Sequence, residues 1–231
     1  MLLKLMMKII TYNIYFFFII IKYMKLFDNY NDLEVGIDEC ARGVMFGRVY
    51  AAAVIWPNFK YKDDPYIKLI NDSKKINRKT REKLVDYIEN MAIDFSVQWS
   101  DEKDVDKYNI LNATYNTFHK CLDNIKIKPN SILVDGNRFR PYNNVKHKCI
   151  VKGDSKYISI AAASILAKVY HDRYIIDLCN KYNKLKNYDL HNNMGYGTKN
   201  HMNAINKYGI TKFHRKTFGI CKKLKNIYNI S

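Results

Sequence analysis

The chain has 231 residues, a length that suits one globular domain able to bury its own hydrophobic core. Its formal net charge is +17, and residues 181–231 carry eleven Lys and Arg against one acid, which indicates a polyanionic partner unless the lysines reflect only a biased gene composition. Five widely spaced cysteines without a C-x-x-C pair argue against a disulfide framework and a structural zinc site. They favour an intracellular, cytoplasmic location, or a nuclear one if the source is eukaryotic or viral.

The first 25 residues form a hydrophobic N-terminal tail that we predict to lie outside the fold. Ile9 to Ile21 is almost entirely apolar or aromatic, but these thirteen residues are short of the roughly 20 that a bilayer span needs. No small-residue cleavage site follows them. We therefore expect one domain in residues 26–231 and no membrane attachment, with a signal-like segment or an anchor as the alternative.

The first half of the domain predicts three strands and two helices. Leu33 to Asp38 and Arg48 to Trp56 are apolar enough for buried neighbouring strands, and Phe95 to Trp99 alternates as a strand does. A helix is predicted after Asn77, its expected N-cap, and a longer one from Val105 to Ile125.

The second half repeats one pattern, in which a short apolar run ends at an aspartate. Ser131 to Val134 leads into Asp135-Gly136, and Cys149 to Val151 leads into Lys152-Gly153-Asp154. The Ala-rich segment Ile160 to Tyr174 suits a helix packed closely across a sheet, and the basic remainder is predicted to be helical in pieces. Strands that alternate with helices over one core predict an α/β fold.

Four carboxylates stand at the polar ends of these predicted strands, namely Asp38, Glu39, Asp135 and Asp154. In open α/β sheets such strand ends gather at one site. Clustered carboxylates repel unless cations neutralise them, and oxygen ligands prefer hard ions such as Mg²⁺ or Mn²⁺. The alternative is that the acids act independently, as turn or cap residues.

The sequence around these acids resembles the ribonuclease HII family. Six motifs occur in that family's order and spacing within about Val35–Lys222: DECARG at Asp38–Gly43, NDSKKI at Asn71–Ile76, LVDGNRF at Leu133–Phe139, VKGDSKYISIAAASILAKVYHD at Val151–Asp172, GYGT at Gly195–Thr198 and FHRKTFG at Phe213–Gly219. Such a set is far more specific than any single motif.

The resemblance implies a ribonuclease H-like mixed β-sheet flanked by helices, with a helical basic C-terminal part. It implies that the RNA strand of RNA–DNA hybrids, and single ribonucleotides in duplex DNA, are hydrolysed to leave 3′-hydroxyl and 5′-phosphate ends. Two Mg²⁺ or Mn²⁺ ions would act during catalysis. The implied metal and catalytic residues are Asp38, Glu39, Asp135 and Asp154.

The resemblance also implies a substrate-binding set, in which a glycine-arginine-glycine loop reads the ribose 2′-hydroxyl and a tyrosine packs on the sugar beside the junction. The matching residues are Ala41, Arg42, Gly43, Lys74, Lys75 and Tyr196, with Lys152, Lys156 and Arg215 as further candidates for backbone contacts. We expect a monomer without an obligate protein partner.

Ala41 departs from the family pattern, because it replaces the first glycine of the loop. If that position requires a positive φ or a close backbone approach, alanine is strained there. Arg42 and the lack of a substantial extra N-terminal domain favour the HII type over ribonuclease HIII. A basic nucleic-acid-binding protein without catalysis is the alternative function, and the complete set of four acids argues against it.

Overall fold

The computed structural model describes residue 28, residues 33–57 and 64–224, and residues 228 and 230. Within these residues a mixed sheet has five strands: β1 (Glu34–Cys40), β2 (Val49–Ile55), β3 (Asp94–Ser100), β4 (Ser131–Asp135) and β5 (Lys146–Ile150). Their order in the sheet is β3-β2-β1-β4-β5. Strands β1, β2 and β3 pair antiparallel, whereas β4 pairs parallel with both β1 and β5.

Helices cover both faces of the sheet. They are α1 (Arg78–Met91), α2 (Glu102–Asn124), α3 (Ile158–Lys181), α4 (Leu190–Asn193) and α5 (Lys199–Tyr208), with short 3₁₀ turns at Ile67–Leu69, Ser73–Lys75, Gly153–Ser155, Asn183–Tyr188 and Gly219–Lys223. The mixed sheet between helices, followed by a C-terminal part built from short helical pieces, confirms the predicted architecture.

Helix α3 lies directly against β1 because small residues face each other there. A Cβ on Gly36 would collide with the main chain of Ser159 and Ile160. The buried alanines 161–163 then bring the helix axis close to the sheet. Helix α2 packs on the opposite face, where Phe118 and Leu122 meet the β1 side chains Val35 and Ile37. This packing fixes the end of β1 between two layers.

Three elements have features that the sequence did not predict, and the first is α3, which continues to Lys181, seven residues beyond its predicted end at Tyr174. Strand β5 begins at Lys146, three residues before the predicted start, and its first three residues are exposed. Helix α2 contains a kink at Asn109, whose φ is +64°. The predicted cap of α1 is confirmed, since the Asn77 side chain accepts a hydrogen bond from the Thr80 N–H.

The predicted N-terminal tail lies outside the described residues, so its role stays a prediction. In the part of the chain that the structure describes, no helix has the length and apolar character that crossing a membrane requires. The five cysteines are all free thiols.

Candidate active site

The four acids lie along one edge of the sheet because the neighbouring strands β1, β4 and β5 run parallel. Ile37 of β1 pairs with Val134 of β4, so the next residues, Asp38 and Asp135, leave the sheet side by side. Asp135 in turn pairs with Ile150, the last residue of β5, which leads into the turn that carries Asp154. Parallel strands end at the same edge, and this edge is where all four carboxylates lie.

Asp38 is the most deeply placed of the four, with 5% of the residue exposed. Burial, together with the nearby charges of Glu39 and Asp135, raises the pKa of its carboxyl well above the ordinary value. Two hydrogen bonds act in the opposite direction, one from the Glu39 N–H at 2.7 Å and one from the Ser164 hydroxyl. Ser164 also contacts Ser73 at 3.0 Å between hydroxyl oxygens. Asp38 is therefore tied to α3 and to the turn that precedes α1.

The turn after β5 carries Asp154 and bonds to Asp135. Lys152 adopts a left-handed φ of +56°, and the Gly153 N–H then donates to Asp135 Oδ1 at 2.6 Å. Burial, the charge of Asp135 and a neighbouring Asp72 raise the pKa of Asp154. Asp72 was not identified from the sequence as part of this acidic group, although it lies within the NDSKKI motif.

The chemistry of this donor set fits hard divalent cations. All four side chains offer oxygen ligands. The pKa values of Asp38, Glu39 and Asp154 are raised chiefly by burial, so nearby cationic side chains do not fully compensate the negative charge of these carboxylates. Arg42 and Lys74 supply part of the compensating positive charge and so oppose the rise in the pKa of Glu39. Among the described residues no three His, Cys, Asp or Glu side chains surround one point as a ready metal cage, so the acids are neighbours linked in pairs.

The loop after β1 places its three predicted substrate residues differently. Ala41 is buried, with a φ of +71°, so the strain foreseen for an alanine at this position is present. Arg42 is half-exposed and its Nη1 lies 3.2 Å from Glu39 Oε1. Gly43 is exposed, and a Cβ added there would meet nothing within 4 Å. The described part of the protein therefore leaves space for a side chain at position 43.

Ala41→Gly is expected to raise the free energy of unfolding by about 1 kcal/mol, because glycine relieves the left-handed strain and only part of that gain is offset by its freer unfolded chain. Denaturant unfolding measures the change. Ala53→Gly is the matched control, because Ala53 is also buried but lies in the extended strand β2. That control should lose stability, and a loss in both variants would contradict the strain at Ala41.

Lys74 and Lys75 lie on the 3₁₀ turn before α1. Asp72 caps this turn by accepting a hydrogen bond from the Lys74 N–H at 2.9 Å. The Arg81 guanidinium of α1 donates to the carbonyl oxygens of Ser73 and Ile76, at either end of the turn. Both lysines are exposed, and the Lys74 ammonium is close enough to oppose the rise in the pKa of Glu39.

Tyr196 lies in a tight turn that ends near β1. Gly195 has a φ of +84°, and a Cβ there would lie 2.7 Å from the Phe46 carbonyl oxygen. The Met45 N–H donates to Gly195 O at 2.8 Å, which joins this turn to the loop after β1. Burial of the phenol, with the nearby Cys40 and Asp172, raises the pKa of Tyr196 to about 12. Tyr196 as a residue is still 41% exposed, so part of it is available to a ligand.

Two buried histidines support that turn from behind. His201 Nδ1 donates to Tyr196 O at 2.9 Å, which leaves Nε2 of a neutral His201 as an acceptor. His214 Nε2 lies 3.2 Å from it and is the donor, because His214 Nδ1 accepts from the Thr211 N–H at 2.9 Å. Each bond therefore holds one proton when both rings are neutral.

Sequence reasoning was wrong about Arg215 and missed several supporting residues. Arg215 is fully buried, so it cannot contact a nucleic-acid backbone as predicted. Lys152 and Lys156 are exposed and stay candidates for that role. Ser73, Ser164, Arg81 and His201 were assigned no function, although Ser73 and Ser164 lie inside the recognised motifs. His214 is fully buried, so it supports the fold and does not face a phosphate.

Known proteins resemble this chain in both sequence and fold. A sequence model of the ribonuclease HII family matches residues 35–221. The ribonuclease HII of Christiangramia forsetii is 45% identical over 195 residues, which cover 84% of this chain and 94% of that protein. The crystal structure of ribonuclease H2 from Pyrococcus horikoshii OT3 aligns with a TM-score of 0.68 at 24% identity, covering 82% of this chain and 95% of that one. Ribonuclease HII from Archaeoglobus fulgidus, in a structure of its complex with PCNA, aligns with a TM-score of 0.65 at 23% identity, covering 81% and 95%.

Proposed function

The chain belongs to the ribonuclease HII family and is an endoribonuclease of that type, and we propose that it cuts on the 5′ side of single ribonucleotides in duplex DNA as well as within RNA–DNA hybrids. The observation that carries the proposal is that four carboxylates lie along one edge of the sheet, beside a loop whose first residue has a positive φ. This arrangement combines a cation site for phosphodiester hydrolysis with a backbone surface for a ribose.

The acids perform the metal-binding part of the reaction. Asp38, Glu39, Asp135 and Asp154 would hold two Mg²⁺ or Mn²⁺ ions, which supply a nucleophilic water at neutral pH and stabilise the charge that develops on the phosphate. Asp135 is oriented by the Gly153 N–H, and Asp38 by the Glu39 N–H and the Ser164 hydroxyl. These fixed hydrogen bonds keep the carboxylates in place before the substrate arrives.

The loop and the turn beside the acids perform the recognition. Arg42 and the backbone around Ala41 and Gly43 would contact the 2′-hydroxyl, the group that distinguishes RNA from DNA. The exposed part of Tyr196 would pack on the sugar that follows the ribonucleotide. Lys74 and Lys75 would contact phosphates, which positions the duplex without reading its sequence.

The direct test is cleavage of an end-labelled DNA duplex that carries one ribonucleotide, beside a uniform RNA–DNA hybrid and an all-DNA duplex. Mg²⁺, Mn²⁺ and a chelator are compared for each substrate. We expect metal-dependent cutting of the first two substrates, with 3′-hydroxyl and 5′-phosphate products. Cutting of the hybrid alone would reject the proposal for single ribonucleotides, and binding without cutting would favour the non-catalytic alternative.

Tyr196→Ala is expected to lower kcat at the single ribonucleotide by on the order of 10²-fold, because the sugar loses the surface that aligns it with the acids. Binding in the presence of chelator should change much less, since the phosphate contacts remain. Tyr108→Ala removes a tyrosine of similar exposure from α2 and is the control. A loss of affinity equal to the loss of kcat would contradict the alignment role.

The proposed partners are the two kinds of duplex, and a monomer without an obligate protein partner stays a prediction. The Archaeoglobus fulgidus relative was solved with PCNA, but its 23% identity to this chain supports a shared fold alone. A cytoplasmic location is likewise proposed on the basis of the cysteine content.

A further inference from the structure

Arg215 is a buried cation that bonds to the main chain of the loop after β1. Its Nε donates to Gly47 O at 2.9 Å and its Nη1 donates to Arg42 O at 3.0 Å. Its own N–H donates to Met45 O at 2.9 Å. One residue of the C-terminal part therefore holds the beginning, the middle and the end of the segment 42–47.

These contacts are directional rather than simple packing. The guanidinium is fully buried, and burial lowers its pKa to about 10, an effect that Asp106 and Glu102 oppose. Its two side-chain acceptors are carbonyl oxygens, and Nη2 has no hydrogen-bond partner among the described atoms. A buried charge with an unused donor is unfavourable for stability, and an apolar side chain would fill the same space more cheaply. The planar fork nevertheless sets the spacing of two carbonyls, which a lysine cannot do.

The same segment of chain also supports the tyrosine turn. His214 precedes Arg215 and reaches Tyr196 O through His201. The Gly47 N–H donates to Phe213 O at 2.8 Å, so residues 213–215 contact both recognition elements. The relative placement of Arg42 and Tyr196 thus depends on residues 213–215, in which the Arg215 side chain is fully buried.

We propose that Arg215 is a positioning residue for ribose recognition, which fixes the main chain around Arg42 so that the loop and Tyr196 meet one sugar in one geometry. The inference rests on the proposed function of that loop. It assigns Arg215 to discrimination between a ribonucleotide and a deoxyribonucleotide, and it assigns no part of the hydrolysis to it.

The test compares Arg215→Met, Arg215→Lys and Lys216→Met. Lys216 is the exposed basic neighbour, so its variant removes the same charge without touching the loop. Two quantities are measured on the full chain: the ratio of affinities for a duplex with one ribonucleotide and for the same all-DNA duplex, in chelator, and kcat/KM for the single ribonucleotide in Mg²⁺. Thermal unfolding is followed for every variant.

We expect Arg215→Met and Arg215→Lys to lower the affinity ratio and kcat/KM by about 10- to 100-fold, with little change in affinity for all-DNA duplex. Lys216→Met should keep the wild-type ratio. A wild-type ratio in Arg215→Lys would overturn the inference even if Arg215→Met fails to fold. An equal loss of affinity for both duplexes would also overturn it. Failure of the wild-type protein to cut the single ribonucleotide would instead reject the proposed function.

Discussion

Asp38→Asn is expected to abolish metal-dependent cleavage, by on the order of 10³-fold or more, and at the same time to stabilise the metal-free protein. The activity is lost because a carboxamide is neutral and binds a hard cation weakly. Stability rises because Asp38 is a buried carboxylate with a pKa raised by burial, Glu39 and Asp135. An asparagine of the same shape still accepts the Glu39 N–H bond and carries no charge to desolvate.

The sign of the pH dependence follows from the raised pKa. The folded protein binds this proton more tightly than the unfolded chain, so the contribution of Asp38 to stability is complete below its ordinary pKa and is lost as the pH rises through the folded value. Denaturant unfolding in chelator should therefore show a loss of stability on raising the pH that is smaller in Asp38→Asn, in which the raised pKa values of Glu39 and Asp154 leave a remaining loss. Added Mg²⁺ should stabilise the wild type and not the variant.

Asp86→Asn is the control, because Asp86 is an exposed carboxylate on α1 outside the acidic group. It should leave cleavage, pH dependence and metal stabilisation unchanged. Wild-type cleavage by Asp38→Asn would remove Asp38 from the metal site. Equal stability of the wild type and Asp38→Asn in chelator would show that burial does not destabilise the charged Asp38 carboxylate.

The shared edge of the acids could be predicted from the sequence because Asp38, Asp135 and Asp154 follow apolar runs, and the end of a buried strand is a local feature. The same holds for α1, whose cap and apolar period are both read within one short segment. Strand β5 shows the limit of such local patterns. Lys146, His147 and Lys148 are exposed and carry no alternating apolar pattern, and their strand is held by main-chain bonds to β4.

The contacts that hold the recognition residues in place could not be predicted, because they join distant parts of the sequence. Arg215 bonds to carbonyl oxygens of residues that precede it by more than 160 positions, and those acceptors leave no mark in the sequence. A basic residue in a basic segment was accordingly assigned to the surface. A left-handed conformation at Ala41 was considered from the sequence, because the resemblance identified a position where glycine is usual.

The buried pair His201 and His214 is expected to make the fold sensitive to acid. Burial lowers the pKa of both rings, and that of His214 falls from 6.5 to about 3. The unfolded chain binds the proton more tightly, so this contribution to stability is complete above pH 6.5 and is lost as the pH falls toward 3. For His214 alone the loss between pH 7 and pH 5 is about 2 kcal/mol. A proton on His201 would also place two N–H donors against each other.

The acids and the histidines change the stability in opposite directions as the pH falls. The effect of His201 and His214 on the free energy of unfolding is therefore best measured in the Asp38→Asn background. In that background His214→Gln should reduce the loss of unfolding free energy between pH 7 and pH 5 by about 2 kcal/mol, whatever its stability at pH 7. His147→Gln removes an exposed histidine of β5 and should leave the pH dependence unchanged. His171 is also buried with a lowered pKa, so we expect His214→Gln to keep part of the loss of stability in acid. A loss as large as that of its Asp38→Asn parent would mean that the fold does not hold His214 neutral.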